Sequence, residues 1–337
     1  MQSQPARASP ERQSHTLALR HSDHPIDNSR YRSAAFVRLL DELHRLARSP
    51  KVPILLEGES GTGKTVIARH IHDSSPRSAA PFHAVNVAVL DDALAGSELF
   101  GHVAGAFTDA RHSRTGHFVS ANSGTLFLDE IGKAGRGVQR KLLQIIETGE
   151  LRPVGSDRSA RVDVRIVAAS NRPLAELTAN GSFLPDLYAR LEIFRVRLPA
   201  LRERRADIPL LVDDAIGAHH QACGYDRQPE VSLQLMDALK RAPWPNNLRE
   251  LDSSIHRILL DAEGAPALLL EHCMGCLGYL RELGGRSATP TNSAIVEAIA
   301  RHGSVIKAAR ELGVDRGTLY RRRRRSAEDA APEHVGL

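Results

Sequence analysis

One segment constrains the fold of this chain more than any other. It follows the phosphate-binding pattern GxxxxGK[ST], carried here by Gly58, Glu59, Ser60, Gly61, Thr62, Gly63, Lys64 and Thr65. An apolar stretch precedes it and a helical pattern follows, as phosphate binding requires, because backbone N–H groups and a helix start then surround the anion. We expect Lys64 to neutralise the β- and γ-phosphates of a nucleotide, and the Thr65 hydroxyl to bind Mg²⁺. The alternative is a chance glycine-rich turn.

A second motif argues against a chance turn. The apolar run Leu126-Phe127-Leu128 ends in Asp129 and Glu130. In a parallel sheet the carboxyl ends of the strands share one edge, so both acids are expected beside the phosphates. We predict that Asp129 holds the Mg²⁺ shell and that Glu130 polarises the attacking water. A solvated acidic turn is the alternative. Together the two motifs indicate hydrolysis of a nucleoside triphosphate.

Short apolar runs alternate with helical patterns through the first two thirds of the chain. The runs lie at residues 52–56, 82–85, 125–128, 164–169 and 194–198, and helices are predicted at 31–48 and 138–148. This alternation predicts an α/β fold, with a parallel sheet covered by helices on both faces. After about residue 200 the strand patterns stop. Residues 206–222, 231–242 and 247–262 have helical periodicity, which predicts a small all-α domain.

The C-terminal part carries a second kind of motif. A helix beginning at residue 294 ends at His302-Gly303, and a helix over 305–312 is followed by the tight turn 313–315 and a helix over 316–325. This spacing is typical of a helix-turn-helix that binds double-stranded DNA. Four residues at the start of its second helix are expected to read bases, and the following arginines to meet phosphates. They are Arg316, Thr318, Leu319 and Tyr320, and then Arg321, Arg322 and Arg323. A basic solvated tail, or one that binds acidic partners, is the alternative.

Composition sets wider limits. Hydrophobic residues make up 42% and charged residues 25%, with a net charge of +5, which is ordinary for a soluble protein. The sequence has no apolar run long enough to span a bilayer and no signal-peptide core, and its three cysteines form no disulfide framework, so a cytoplasmic location is expected. Cys273 and Cys276 form a CxxC with no second pair, which favours ordinary helical packing over a zinc site.

These patterns divide the chain into six parts. Residues 1–30 are a polar lead-in expected to be disordered, 31–200 the α/β ATPase subdomain and 201–280 a helical lid. Residues 281–292 are a linker, 293–325 the helix-turn-helix and 326–337 a flexible tail. We expect no receiver or ligand-sensing module in the lead-in. Control would then come from expression level, a regulatory protein partner or a paired homologue.

Further motifs go beyond a generic ATPase. Glu98-Leu99-Phe100-Gly101-His102, followed by Gly105-Ala106-Phe107-Thr108-Asp109-Ala110, closely resembles the ELFGH…GAFTGA segment of bacterial sigma-54-dependent activators. GESGTGK, GTLFLDEIG, VDVRIVAASNR, LPALRERRADIP and WPNNLREL extend the resemblance over about residues 50–325. The helix-turn-helix looks like the Fis-type module that ends chains of this family. The resemblance is to an NtrC-like AAA+ ATPase of the enhancer-binding class.

The resemblance implies a mechanism and several roles. It implies a nucleoid-associated ring, usually a hexamer, that uses ATP to turn closed complexes of sigma-54 RNA polymerase holoenzyme into open ones. The loop 105–110 would touch the sigma factor, and DNA would be bound at an upstream enhancer-type site. Asn171 matches the sensor of the γ-phosphate and Asn86 the partner of Glu130. Arg190 matches an arginine finger for the neighbouring subunit, and Arg249 the second sensor arginine.

The chain departs from the family pattern at three positions. Asp109 replaces the second glycine of GAFTGA, Leu184 stands where many relatives carry another arginine, and Thr65 replaces a common Glu. Asp109 puts a negative charge at the loop tip. It therefore leaves an alternative open, namely a DNA-binding AAA+ regulator that works with another sigma factor or represses. A non-transcriptional remodeller is a further alternative, which the GAFTDA loop and the helix-turn-helix disfavour.

Overall fold

A computed structural model of the chain describes residue 26, residues 28–90, 92–108, 110–223, 228–262 and 265–273, and residue 301. The chain divides into two compact units. The first comprises Met1–Ala218 with Trp244–Ser253, and the second His219–Pro243 with Ser254–Leu337. Each unit is described separately below.

The first unit is built on a five-stranded parallel sheet, as the apolar runs predict. Its strands are β1 (Ile54–Glu57), β2 (Phe82–Asn86), β3 (Thr125–Asp129), β6 (Arg165–Ser170) and β7 (Phe194–Arg197). Their order across the sheet is β2-β3-β6-β1-β7. Each pair is parallel, so the carboxyl ends of all five strands lie along one edge.

Helices cover both faces of this sheet, as predicted. The helices of the first two thirds of the chain are α1 (Ala34–Ala47), α2 (Lys64–Asp73), α3 (Asp92–Phe100), α4 (His117–Ser120), α5 (Arg136–Thr148), α6 (Leu174–Ala179) and α7 (Pro185–Leu191). One core cluster joins Leu55, Leu126 and Leu128 to residues of α3–α7. The other joins Ile54, Leu56 and Phe127 to residues of α1 and α2. Neighbouring strand residues thus point to opposite faces, and each face is closed by its own helices.

Two features of the first unit carry no strong sequence pattern. β4 (Glu150–Leu151) and β5 (Ala160–Arg161) form an antiparallel hairpin after α5. Arg165, on the central strand β6, is fully buried and donates to the backbone oxygens of Ala47 and Leu46. A buried guanidinium is costly unless it is hydrogen-bonded, so these carbonyls at the end of α1 stabilise its two Nη groups, while its buried Nε has no hydrogen-bond partner among the described residues.

The segment beyond residue 200 corrects one prediction. Beyond residue 200 the helices are α8 (Ile208–Cys223), α9 (Leu233–Arg241) and α10 (Asn247–Asp261), close to the predicted ranges. The segment is not all-α, however, because β8 (Glu230–Val231) pairs in parallel with β9 (Ala267–Leu268). Two-residue strands are too short to show a periodic pattern, which is why the sequence did not reveal them.

The helix-turn-helix predicted over 293–325, with all its DNA-contacting residues, lies outside the described residues except for Arg301. So do residues 1–25 and Cys276, whereas Asn28–Arg30 form a 3-10 turn. Among the residues that the structure describes, no helix is long and apolar enough to cross a membrane.

Candidate functional site

The phosphate loop, residues 58–65, runs from the end of β1 into the first turn of α2. Gly61 and Gly63 have φ values of +77° and +99°, and Gly63 is the N-cap of α2. These left-handed conformations strain any residue with a Cβ, so both glycines are required by the path of the backbone. The first N–H groups of α2 have no partner within the helix, which makes this turn a site for anions.

Lys64 lies inside the curve of the phosphate loop. Its Nζ donates to the backbone oxygens of Gly58, at 2.7 Å, and of Glu59, at 3.0 Å. Burial lowers the pKa of Lys64, the carboxylates of Asp129 and Glu130 oppose this, and Arg249 adds to it. The ammonium is therefore a buried cation that acts electrostatically on both predicted acids. Thr65, in the same turn, is exposed.

The acids and Asn86 meet at the edge of the sheet. β2 and β3 are in register with Asn86 opposite Asp129, and Glu130 follows directly. Glu130 has φ +56°, so the chain turns out of the strand at this residue, and its N–H donates to the Asp129 carboxylate at 3.0 Å. The Asn86 side chain accepts from the N–H of Ala88 at 2.9 Å. Parallel pairing thus brings all three predicted side chains to one place.

Asn171 belongs to the same edge. It follows β6 directly, and the backbone oxygen of the preceding Ser170 accepts from the N–H of Gly58 at 3.2 Å. Asn171 is half-buried beside the start of the phosphate loop. The order β2-β3-β6-β1 therefore gathers Asn86, Asp129, Glu130, Asn171 and the phosphate loop along four neighbouring strand ends.

Arg249 reaches the phosphate loop from a distant part of the chain. Its Nη1 donates to Ser60 Oγ at 3.3 Å, and the N–H of Leu248 donates to the oxygen of Gly61 at 2.9 Å. The approach is close, since a Cβ built on Gly61 would stand 2.1 Å from the oxygen of Asn246. The first unit thus places this arginine next to the site where phosphates would bind.

Arg190 lies elsewhere, on α7. Its Nε and Nη2 donate to Glu147 Oε1, on α5, at 3.1 Å and 3.0 Å. Both side chains are exposed, by 54% and 40%, so the pair faces solvent. Leu184, where many relatives have a second arginine, is half-buried at the N-cap of α7 and packs against the core.

The loop 105–110 is held mainly at its base. The N–H of Gly105 donates to the oxygen of Ala110 at 2.7 Å, and Ala110 is buried. A Cβ on Gly155, in the β4–β5 hairpin, would stand 2.6 Å from the Cβ of Ala106. Phe107 is 38% exposed, its ring lies 5.0 Å from that of His102, and Thr108 is exposed. Asp109 lies outside the described residues.

Comparison with known proteins identifies the domains of the chain. Three family models match the chain in order. They are "Sigma-54 interaction domain" over residues 30–197, "AAA+ ATPase lid domain" over 202–272 and "Bacterial regulatory protein, Fis family" over 293–325. The chain belongs to the sigma-54-dependent regulator family. Its parallel sheet with helices is that of the P-loop ATPases of this family, as the resemblance predicted.

Curated family members agree along most of the chain. One similar protein is the anaerobic nitric oxide reductase transcription regulator NorR of Aeromonas salmonicida, 40% identical over 318 residues, which are 87% of this chain and 62% of that protein. Another is the transcriptional regulatory protein ZraR of Salmonella typhimurium, 40% identical over 297 residues, covering 85% and 66%. The chain thus spans about 62% of the length of the first of these relatives.

Solved structures of another bacterial protein have a similar fold. The crystal structure of NtrX from Brucella abortus has a TM-score of 0.66 and 29% identity, over 88% of this chain and 69% of that one. NtrX in complex with ATP gives a TM-score of 0.65 and 28% identity, over 88% and 68%.

The geometry also adds residues that the sequence did not single out. Arg202 Nη1 donates to Glu59 Oε2 at 2.8 Å, and Asn247 Nδ2 to the same oxygen at 3.2 Å. Arg202 lies in the motif LPALRERR and Asn247 in WPNNLREL, so the sequence did contain a signal that could have identified both residues. Glu147 had none, because an acid in the last turn of an amphipathic helix is usually only solvated.

Proposed function

We propose that this chain is an ATP-hydrolysing, DNA-binding transcription activator that turns closed complexes of sigma-54 RNA polymerase into open ones. One observation carries the proposal. A single compact unit contains both Lys64, whose ammonium interacts electrostatically with Asp129 and Glu130, and the sigma-factor loop, residues 105–110. Phe107 and Thr108 of this loop are exposed. The match to the sigma-54 interaction domain supports this reading over a regulator that acts without sigma-54.

The phosphate loop fits ATP. The left-handed glycines open the backbone around an anion, and Lys64 would exchange its bonds with the Gly58 and Glu59 oxygens for phosphate oxygens. Among the described residues, no group of three or more His, Cys, Asp or Glu could hold a metal ion. Mg²⁺ is therefore expected to bind chiefly through phosphates and water, with Thr65 and Asp129 supplying the protein oxygens. It would neutralise charge on the phosphates.

Hydrolysis is assigned to the sheet edge. Glu130, turned out of β3 by its positive φ, is proposed to polarise the attacking water. Asn86 is proposed to exchange contacts with Glu130, since it lies opposite Asp129 in the neighbouring strand. Asn171, beside the start of the phosphate loop, would read the γ-phosphate, and Arg249, near Ser60, would bind phosphate from the other side.

Ring assembly would complete the site. Arg190 is exposed on α7 and is proposed to reach the ATP of a neighbouring subunit, in a ring that is usually hexameric. An arginine that arrives in trans can accelerate phosphoryl transfer by roughly 10³–10⁵. Hydrolysis would then depend on assembly. The Fis-type match over residues 293–325 supports binding of double-stranded DNA at an enhancer-type site, by way of Arg316–Arg323.

Open-complex formation on a sigma-54 promoter tests the proposal. The wild-type chain with ATP should form heparin-resistant open complexes, and Thr108→Ala should reduce them by roughly tenfold or more if its hydroxyl bonds the sigma factor. ATP hydrolysis should change by less than about twofold, because Thr108 belongs neither to the phosphate loop nor to the sheet edge. Asp109→Gly, which restores the family loop, is the matched variant and should equal or exceed the wild type. Normal hydrolysis with no open complexes from either chain would remove the sigma-54 function.

A further inference from the structure

The side chain of Asn247 connects two parts of the proposed nucleotide site. Asn247 begins α10 two residues before Arg249, and its side chain is fully buried. Its φ is +52°, a conformation that few residues adopt and that Asn tolerates better than most. A buried polar residue in a strained conformation needs a compensating set of bonds.

The carboxamide is fully hydrogen-bonded. Oδ1 accepts from the N–H of Leu201 at 2.7 Å. Nδ2 donates to the backbone oxygen of Ser60 at 2.9 Å and to Glu59 Oε2 at 3.2 Å. Both Nδ2 protons thus go to the phosphate loop, and this requires an amide, because a carboxylate cannot donate.

Glu59 is held from its other side by Arg202. The guanidinium donates through Nη1 to Oε2 at 2.8 Å and through Nη2 to Oε1 at 2.5 Å. Hydrogen bonding by Arg202 lowers the pKa of Glu59 to about 2, with a further contribution from Asn247. Glu59 therefore stays ionised near neutral pH and remains an acceptor for both partners.

We propose that Asn247 is a positioning residue for nucleotide binding, which holds Arg249 against the phosphate loop through Ser60 and Glu59. The inference rests on the proposed function, in which Arg249 binds phosphate. Arg249 lies only two positions after Asn247 in the same helix, so the bonds at Asn247 fix the position of the backbone that carries the arginine. The contacts of Gly61 with Leu248 and Asn246 keep the same segment close.

The first test asks whether Asn247 acts through Arg249. Asn247→Gly tolerates the positive φ and removes both donors, while Arg249→Ala removes the cation. Each should weaken ADP binding by roughly tenfold, the value of a lost hydrogen bond or ion contact to a charged group. The double variant should lose no more than about twofold beyond Arg249→Ala alone, because one effect passes through the other. Losses that multiply would overturn the proposal.

A polarity swap supplies the second test. Asn247→Asp places a second carboxylate beside Glu59 and should weaken ADP binding by roughly tenfold or more. Adding Glu59→Gln gives back a donor, since the amide introduced at position 59 can donate to the carboxylate introduced at position 247. The double variant should therefore bind ADP more tightly than Asn247→Asp alone, although the bond to the backbone oxygen of Ser60 stays lost. Absence of rescue, with all variants folded by thermal melting, would count against the role of Asn247.

These results separate the inference from the proposed function. A wild-type chain that binds ADP but hydrolyses no ATP would contradict the function, whereas coupled losses at residues 247 and 249 would still support the positioning role. Normal ATP hydrolysis by the wild-type chain, together with independent losses of ADP binding at residues 247 and 249, would support the function and contradict the positioning role. If Asn247→Asp does not fold, the Asn247→Gly cycle decides, because glycine relieves the backbone strain.

Discussion

The phosphate loop and the sigma-factor loop lie in the same unit but are held in different ways. The phosphate loop is bonded on all sides, with Lys64, Asn247 and Arg202 donating to residues 58–60. The sigma-factor loop is closed at its base by the Gly105–Ala110 backbone bond, and Phe107 and Thr108 are exposed. The phosphate loop is held by hydrogen bonds within the chain, whereas the sigma-factor loop leaves two side chains exposed for contact with a partner.

The difference suggests a division of work. Binding of phosphate needs donors already in position, because donors that must reorganise give up part of their gain. A loop that contacts a partner needs a firm base and an accessible tip. Changes in the phosphate loop should therefore abolish both ATP hydrolysis and open-complex formation. Changes at the base of the sigma-factor loop should reduce open-complex formation and leave ATP hydrolysis intact.

The largest expected effect is at Lys64. Lys64→Ala removes the buried ammonium and should lower ATP hydrolysis by roughly 10²–10³, the usual cost of removing one preorganised charge donor. Open-complex formation should fall with it. Arg69→Ala removes a cation from the same helix, together with its exposed pair with Asp73 and its contact with the Phe82 ring. It is the control and should stay within about twofold. Equal effects of the two variants would contradict the assignment of Lys64.

A smaller effect is expected at Gly155. A Cβ there meets Ala106 at 2.6 Å, so Gly155→Ala should displace the base of the sigma-factor loop. We expect open-complex formation to fall roughly tenfold while hydrolysis changes less than about threefold, because distant sites act independently.

Gly181 provides the matched control for Gly155. Its φ of +76° resembles the +78° of Gly155, but a Cβ on it meets nothing within 4 Å. Gly181→Ala therefore introduces the same backbone strain without the clash. If both variants lost open complexes, backbone strain would be the cause. The β4–β5 hairpin would then not be needed to position the sigma-factor loop.

The smallest effect is expected at Glu147. This residue pairs with Arg190 within one subunit, and under the proposed function it would compete with the phosphate of a neighbour. Glu147→Gln should lower the protein concentration for half-maximal hydrolysis by about 1.5–5-fold, since an exposed ion pair contributes about 0.2–1 kcal/mol. Asp73→Asn, which breaks an exposed pair on α2, should have no such effect. An unchanged or higher concentration for Glu147→Gln would contradict the competition.

Local patterns predicted most of the fold. Apolar runs identified every strand of the main sheet, because buried strands consist of consecutive apolar residues. Glycines located the phosphate loop between β1 and α2, because its backbone conformation requires them. The meeting of Asn86 with Asp129 was also predictable once the sheet was known to be parallel. Predicted helix and strand ends differ from the observed ones by a few residues, since end residues pack weakly.

Contacts between distant residues could not be predicted from such patterns. The bonds from Asn247 to Ser60 and Glu59 join residues 187 and 188 positions apart. Nothing near Asn247 marks it as buried or left-handed. Likewise, the pairing of Glu147 with Arg190 depends on how α5 packs on α7, and the short β4–β5 and β8–β9 pairs depend on partners rather than on composition.

Gly61 changes the meaning of a common experiment. Replacing a glycine of a phosphate loop is usually interpreted as filling the place of a phosphate group. Here the space beside Gly61 is taken by the carbonyl of Asn246, 2.1 Å from where a methyl group would be. A larger residue at position 61 would therefore push away the segment that carries Arg249. Loss of activity on substituting Gly61 could therefore result from displacement of Arg249 as much as from blocked phosphate binding.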